Sequence, residues 1–126
     1  MKIAFTSTDG TTVDSHFGNA ESFYLWDIGK QEARALGRVT VGSSEGQEDR
    51  ILARANALAG CAVVCTVQIG GPAAAKLAAR HIHPLKTPEA TPIAQVIDRL
   101  QAVLRGTPPP WLRKSLQAGA AAVAAP

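Results

Sequence analysis

Long apolar runs are missing from this chain. None approaches the roughly 18 residues that a membrane span requires, so no membrane partner is expected. A dense basic stripe is missing too. Net charge is +3, from 13 Lys and Arg against 10 Asp and Glu. Two of those positives, Arg113 and Lys114, fall in residues 106–126, which hold no acid. Nucleic-acid-binding domains concentrate their positive charge on one face, so no nucleic-acid partner is expected either. Cysteine is scarce: Cys61 and Cys65 are the whole set. On one strand they would stand about 13 Å apart, too far for a bridge. Cys-x-x-x-Cys without further ligands also makes a poor zinc or iron–sulfur site. Both thiols read as small buried hydrophobes in a reducing compartment. Finally, Met1-Lys2-Ile3-Ala4-Phe5 runs straight into Thr, Ser and Asp, unlike a signal peptide, and a soluble cytoplasmic protein is expected.

What is present is enough for one domain with a real core, at 126 residues and 46% hydrophobic. Residues 2–7 alternate as a first strand, and residues 8–20 are turn-rich, with Asp9-Gly10 and Gly18-Asn19. Aromatic-rich residues 21–28 predict a second strand, and Gly29-Lys30 a hairpin turn. In residues 31–41, Arg34, Arg38 and Thr40 alternate with Ala33, Ala35, Val39 and Val41, which predicts a third strand with one wet side. After the Gly- and Ser-rich residues 42–46, the period becomes helical. Ile51, Leu52, Ala55, Leu58 and Ala59 form a stripe that Gly60 closes. Residues 61–67 have no wet face and predict a strand buried on both sides. Pro72 suits a helix first turn, residues 82–85 a last strand, and Thr91-Pro92 a cap. The clearest stripe follows, at Ile93, Val96, Ile97, Leu100, Val103 and Leu104.

The order β-β-β-α-β-α-β-α predicts an α/β fold with a mixed five-stranded sheet and helices on its faces. The first strand and the 61–67 strand should be parallel central neighbours. Residues 1–105 read as the domain. Residues 106–126, with Pro108-Pro109-Pro110, Trp111 and an Ala-rich end, read as a loosely attached tail.

Parallel neighbours open their following loops at one sheet edge, where open α/β sheets bind ligands. One such loop holds Asp14-Ser15-His16-Phe17-Gly18, and the other Gln68-Ile69-Gly70-Gly71-Pro72. The second leads into a helix N-terminus, whose unpaired N–H groups and dipole favour an anion that glycines let approach. An imidazole beside it can ligate a metal or donate to an anion. His16, Phe17, Gly18, Ile69, Gly70 and Gly71 are therefore the candidate cofactor-binding residues, with His16 the one strong ligand. Asp9 and Asp14 oppose an anion there unless they point away. His81 and His83 could face one side of a strand as a metal pair, but a helix end for His81 and a turn into Pro84 for His83 read better.

Catalysis finds little support. A two-metal nuclease needs carboxylates on the first strand and at the end of the fourth, and neither Lys2–Ser7 nor Val67-Gln68-Ile69 has one. A cysteine nucleophile needs a basic neighbour, but Cys61 opens its strand at the far edge from His16, and Cys65, closer to the site, is expected to point into the core. The chain does not read as an enzyme.

Several of these stretches resemble one family in order. They are Met1–Phe5, Val13–Gly18, Ala57–Val64, Ile69–Lys76, His83-Pro84, Thr91-Pro92-Ile93 and Pro108–Lys114. Over about residues 1–116 the chain is similar to the dinitrogenase iron–molybdenum cofactor biosynthesis family, with the Pro-Pro-Pro-Trp segment resembling its NifX branch. The resemblance implies a ribonuclease-H-like three-layer fold without nuclease chemistry. It implies a carrier that transiently binds an iron–sulfur cluster, the NifB product or a later precursor of the iron–molybdenum cofactor, on its way to the NifEN scaffold. It also implies that His16 is the residue tied to cluster binding. The alternative it leaves open is a metal-free interaction module or chaperone for an assembly partner such as apo-dinitrogenase, which the NifY and NafY members attend. No cysteine lies in the His16 loop, so thiolate ligation there is not expected.

Overall fold

The computed structural model describes residues 1–41, 46–107 and 109–110. The expected punctuation at 42–45, Pro108, and the tail from Trp111 onward lie outside the described residues. The elements run β1 (Lys2–Thr6), β2 (Thr12–Val13), a short 3-10 turn (Phe17–Asn19), β3 (Ser22–Ile28), β4 (Ala33–Thr40), α1 (Gln47–Ala57), β5 (Val63–Thr66), α2 (Gly71–Ala79), β6 (His83–Lys86), β7 (Thr91–Pro92) and α3 (Ile93–Arg105).

One mixed sheet holds five strands in the order β4-β3-β1-β5-β6. β1 pairs antiparallel with β3 and parallel with β5, so the expected central pair forms, with Ile3 opposite Val63 and Phe5 opposite Cys65. Alternation along the strands divides the core in two. Ala4, Phe23, Leu25 and Val64 pack with Ala55 of α1, Leu58 just past its end, and Ala73 and Leu77 of α2. Ile3, Phe5, Ile28, Val63 and Cys65 pack with Ile93, Val96, Ile97, Leu100 and Leu104 of α3. Each such aliphatic side chain, fully buried, contributes roughly 1.5–3 kcal/mol, which is why the helices cover both faces. Among the described residues no helix is long and apolar enough to cross a membrane.

Four local expectations change. β4 is exposed along nearly its whole length, and its alternation breaks at a bulge. Leu25 pairs with Gly37 but Trp26 with Ala35, which leaves Leu36 unpaired. An extra residue flips the side-chain parity. Ala33 and Ala35 therefore share the α3 side with Ile28 and Trp26, whereas Val39 and Val41 join Phe23 on the other. α1 stops at Ala57 and tightens through Leu58 and Ala59 before Gly60 takes φ +88°. Thr91 does not cap α3: its hydroxyl donates to Pro88 O at 2.6 Å, and Thr11 O receives the Ile93 N–H instead. In α3, Val103 is exposed, while Gln101 turns inward and donates to Glu32 O at 2.9 Å. The two-residue β2–β7 ladder, too short to show a period in sequence, brings that Thr11 carbonyl to the helix.

Candidate functional site

β1 and β5 end side by side in Thr6 and Thr66, both fully buried. Their hydroxyls share one acceptor, and each has a second carbonyl in range, Cys65 O at 3.3 Å for Thr6 and Gln68 O at 3.2 Å for Thr66. Thr6 Oγ1 donates to Ser15 O at 2.8 Å and Thr66 Oγ1 donates to the same oxygen at 3.1 Å. The Val67 N–H joins them at 3.2 Å. Two residues past Ser15, the Phe17 N–H donates to Gln68 O at 2.8 Å. The His16 loop and the loop leading to Gly70 are thus hydrogen-bonded to each other at the carboxyl edge of the central strands. Their proximity, expected from strand order, is a feature of the structure.

Within that frame the candidate residues take different positions. Phe17 is wholly buried, with its ring 5.8 Å from that of Phe23, so its side chain anchors the loop in the core. Ile69 is half-buried against the same core. His16, Gly18, Gly70 and Gly71 are exposed. Gly71 opens α2, whose first turn holds Pro72 and no acid, and which has no side-chain cap. Such a terminus presents N–H groups without intrahelical acceptors.

The two acids that could repel an anion are committed elsewhere. Asp9 accepts from the Thr11 and Thr12 N–H groups at 2.8 and 3.0 Å and from Ser7 Oγ at 3.0 Å. Those bonds hold its carboxyl well below the usual carboxylate range. Asp14 accepts from the Thr8 N–H and Ser15 Oγ.

Between the Phe17–Asn19 turn, α1 and the start of α2 lies a cleft of about 160 Å³, walled by Gly18, Asn19, Arg50, Arg54, Gly70 and Ala73, among others. His16 does not line it. Arg50 and Arg54 went unnoticed in the sequence, although a signal was there. Arg54 is three residues after Ile51 and four before Leu58, inside the apolar stripe. It is indeed buried, whereas Leu52 and Ala59, assigned to that stripe, are exposed. Burial, together with the charge of Arg50, pulls its guanidinium below the ordinary value, against an opposing pull from Glu21.

The remaining candidates fall to structural roles. His81 lies past α2 at φ +60°, outside any strand, so it forms no same-face pair with His83 on β6. Both cysteines are free and buried. Burial pushes the Cys61 thiol up to about 11 and the Cys65 thiol to about 12. Among the described residues no group of three or more His, Cys, Asp or Glu is placed to hold a metal ion.

The family model for the dinitrogenase iron–molybdenum cofactor matches residues 1–103. The chain belongs to that family. Relatives include the NifX protein of Herbaspirillum seropedicae, 38% identical over 122 residues that span 94% of this chain and 84% of that protein. NifX of Rhodobacter capsulatus is 37% identical, over 92% of this chain and 77% of its own length. NifY of Azotobacter vinelandii is also 37% identical, but this chain spans about half of that protein, 49%. Membership in this NifX/NifY family places the chain in nitrogen fixation, among the proteins of iron–molybdenum cofactor biosynthesis. Two solved structures share the fold. The crystal structure of PH0822 superposes with a TM-score of 0.64 at 22% identity, over 81% of this chain and 91% of that one. An NMR structure from Thermotoga, described as of a NifB-type protein, superposes at 0.53 and 15% identity, over 82% and 89%.

Proposed function

We propose that the chain binds an iron–sulfur precursor of the iron–molybdenum cofactor and carries it between assembly proteins without converting it. His16 supplies the one protein ligand to iron, and the N–H groups at Gly70 and Gly71 face cluster sulfides. The observation that carries this reading is the bonding of the two loops. Bonds at Ser15 O and Gln68 O tie the loop that carries the exposed His16 to the loop that leads into an uncapped helix N-terminus. A single ligand on a rigid edge suits cargo that must leave again.

The strand order supports reading the architecture as ribonuclease-H-like, a fold that hosts nucleases. Here the central strands end in Thr6 and Thr66 rather than carboxylates, and their hydroxyls hold a loop. That supports a carrier over an enzyme. In this reading residues 1–105 are the carrier domain and 106–126 a tail, the cargo is the NifB product or a later intermediate, and NifB and NifEN are donor and acceptor in the cytoplasm.

The lack of a multi-residue metal cluster among the described residues favours a second reading: a metal-free module that chaperones an assembly partner such as apo-dinitrogenase. Anaerobic mixing with the NifB product followed by gel filtration separates the two. The carrier elutes with a brown chromophore and near-stoichiometric iron. Elution without iron, with partner capture unaffected by cofactor, selects the module.

A further inference from the structure

The cleft beside α1 has a chemistry of its own. Arg54 is only 6% exposed, yet among the described residues no acid forms an ion pair with it. Its Nη1 donates to Arg50 O at 3.2 Å, and its Nε has no partner. Arg50 lines the same cleft, and its like charge bears on Arg54. Among the described residues neither takes part in an ion pair. Burying an uncompensated charge is costly, and placing a second cation beside it adds to that cost.

The opposite wall is the start of α2, where Gly70 and Ala73 line the cleft and the first turn holds no acid. Helix N-termini and arginine forks each favour oxygen anions, the fork through paired N–H donors. The third wall, at Gly18, is open: a Cβ there would meet nothing within 4 Å, nor would one at Gly71. Glu21, whose charge bears on Arg54, is exposed and makes no ion pair with it.

We propose that this cleft is an oxyanion site, in which Arg50, Arg54 and the first turn of α2 hold a carboxylate or phosphate group. The bound anion supplies the ion-pair partner that neither arginine has among the described residues, and it links α1, α2 and the turn that follows His16. The inference shares the Gly70–Gly71 turn with the cofactor reading but rests on the arginines. Its test uses iron-free probes, so the two fail separately.

The experiment titrates the full apoprotein with inorganic phosphate and, separately, with acetate, at constant ionic strength set by chloride. Amide and arginine Nε–H resonances are followed by NMR. The proposal expects saturable shifts at Gly71, Ala73 and the Arg54 Nε–H with at least one of the two anions. Saturation by phosphate alone identifies a phosphate-bearing ligand, and saturation by acetate alone a carboxylate. Arg54→Gln and Arg50→Ala should each weaken the binding about tenfold. Arg50 is exposed, so its variant keeps the test decisive should the buried Arg54 substitution unfold the protein. Shifts that do not saturate with either anion, or unchanged affinity in Arg50→Ala, would overturn the proposal.

Discussion

His81, next after the C-cap Arg80 of α2, takes φ +60° and closes the helix in a Schellman pattern. Its N–H donates to Ala78 O at 3.0 Å, the Ile82 N–H donates to Leu77 O at 2.9 Å, and Leu77 and Ile82 meet in the core. A left-handed conformation costs a residue with a Cβ about 1 kcal/mol that glycine does not pay. His81→Gly should therefore raise the melting temperature by about 4 °C, and an unchanged or lower midpoint in thermal unfolding would contradict the assignment. At Asp9 the sign runs with acidity. Its folded value lies below the ordinary value of about 4, so its contribution is complete above that pH and is lost as pH falls toward the folded value. Acid titration should show the protection of the Thr11 and Thr12 amides, relative to unstructured amides at the same pH, falling below about pH 4. Asp9→Ala should show fast exchange at both already at neutral pH. The cysteines answer to burial. With their thiols pushed to about 11 and 12, native protein at pH 8 should stay unmodified by iodoacetamide and take two labels once denatured. Prompt native labelling would mean that the 61–66 region opens.

Two loops and the threonines beneath them form the element on which the site depends. The Thr6 and Thr66 hydroxyls share Ser15 O, and each such bond contributes about 1 kcal/mol net. The double substitution Thr6→Val, Thr66→Val keeps the β-branched shape that strands favour while leaving Ser15 O only the Val67 N–H. Chemical denaturation should show a loss of about 2 kcal/mol, with faster amide exchange at Phe17 and Val67. Wild-type stability with unchanged exchange would show that the loops are held by packing of Phe17 alone. Elements of this size also show where sequence reading reaches and where it stops. Both loops were placed correctly because β1 and β5 carry strong apolar patterns on either side of a helical stripe. The β4 face was misassigned because one unpaired residue, Leu36, reverses every side chain beyond it. Periodicity does not register such an insertion.

At the scale of the molecule, the three layers follow from patterns legible in the chain: a strand with no wet face, and two stripes of helical period. The cleft did not follow. Arg54 was hidden because a charged residue inside an apolar stripe reads as an interruption, whereas in the fold it is buried and lines a cleft one helical turn from Arg50. His16 stood out by its company, between Ser15 and Phe17-Gly18, yet no pattern in the residues says what an exposed imidazole binds. The family supplied iron–molybdenum cofactor biosynthesis, and the structure supplied a hydrogen-bonded edge on which His16, the proposed iron ligand, is exposed. The most direct measurement of that claim is iron retained per chain after anaerobic loading with the NifB product and gel filtration, in wild type, His16→Ala and His83→Ala. Near-stoichiometric iron in wild type and His83→Ala, with a loss of most of it in His16→Ala, is the predicted result. Equal iron in His16→Ala and wild type, or none in any of the three, would contradict it.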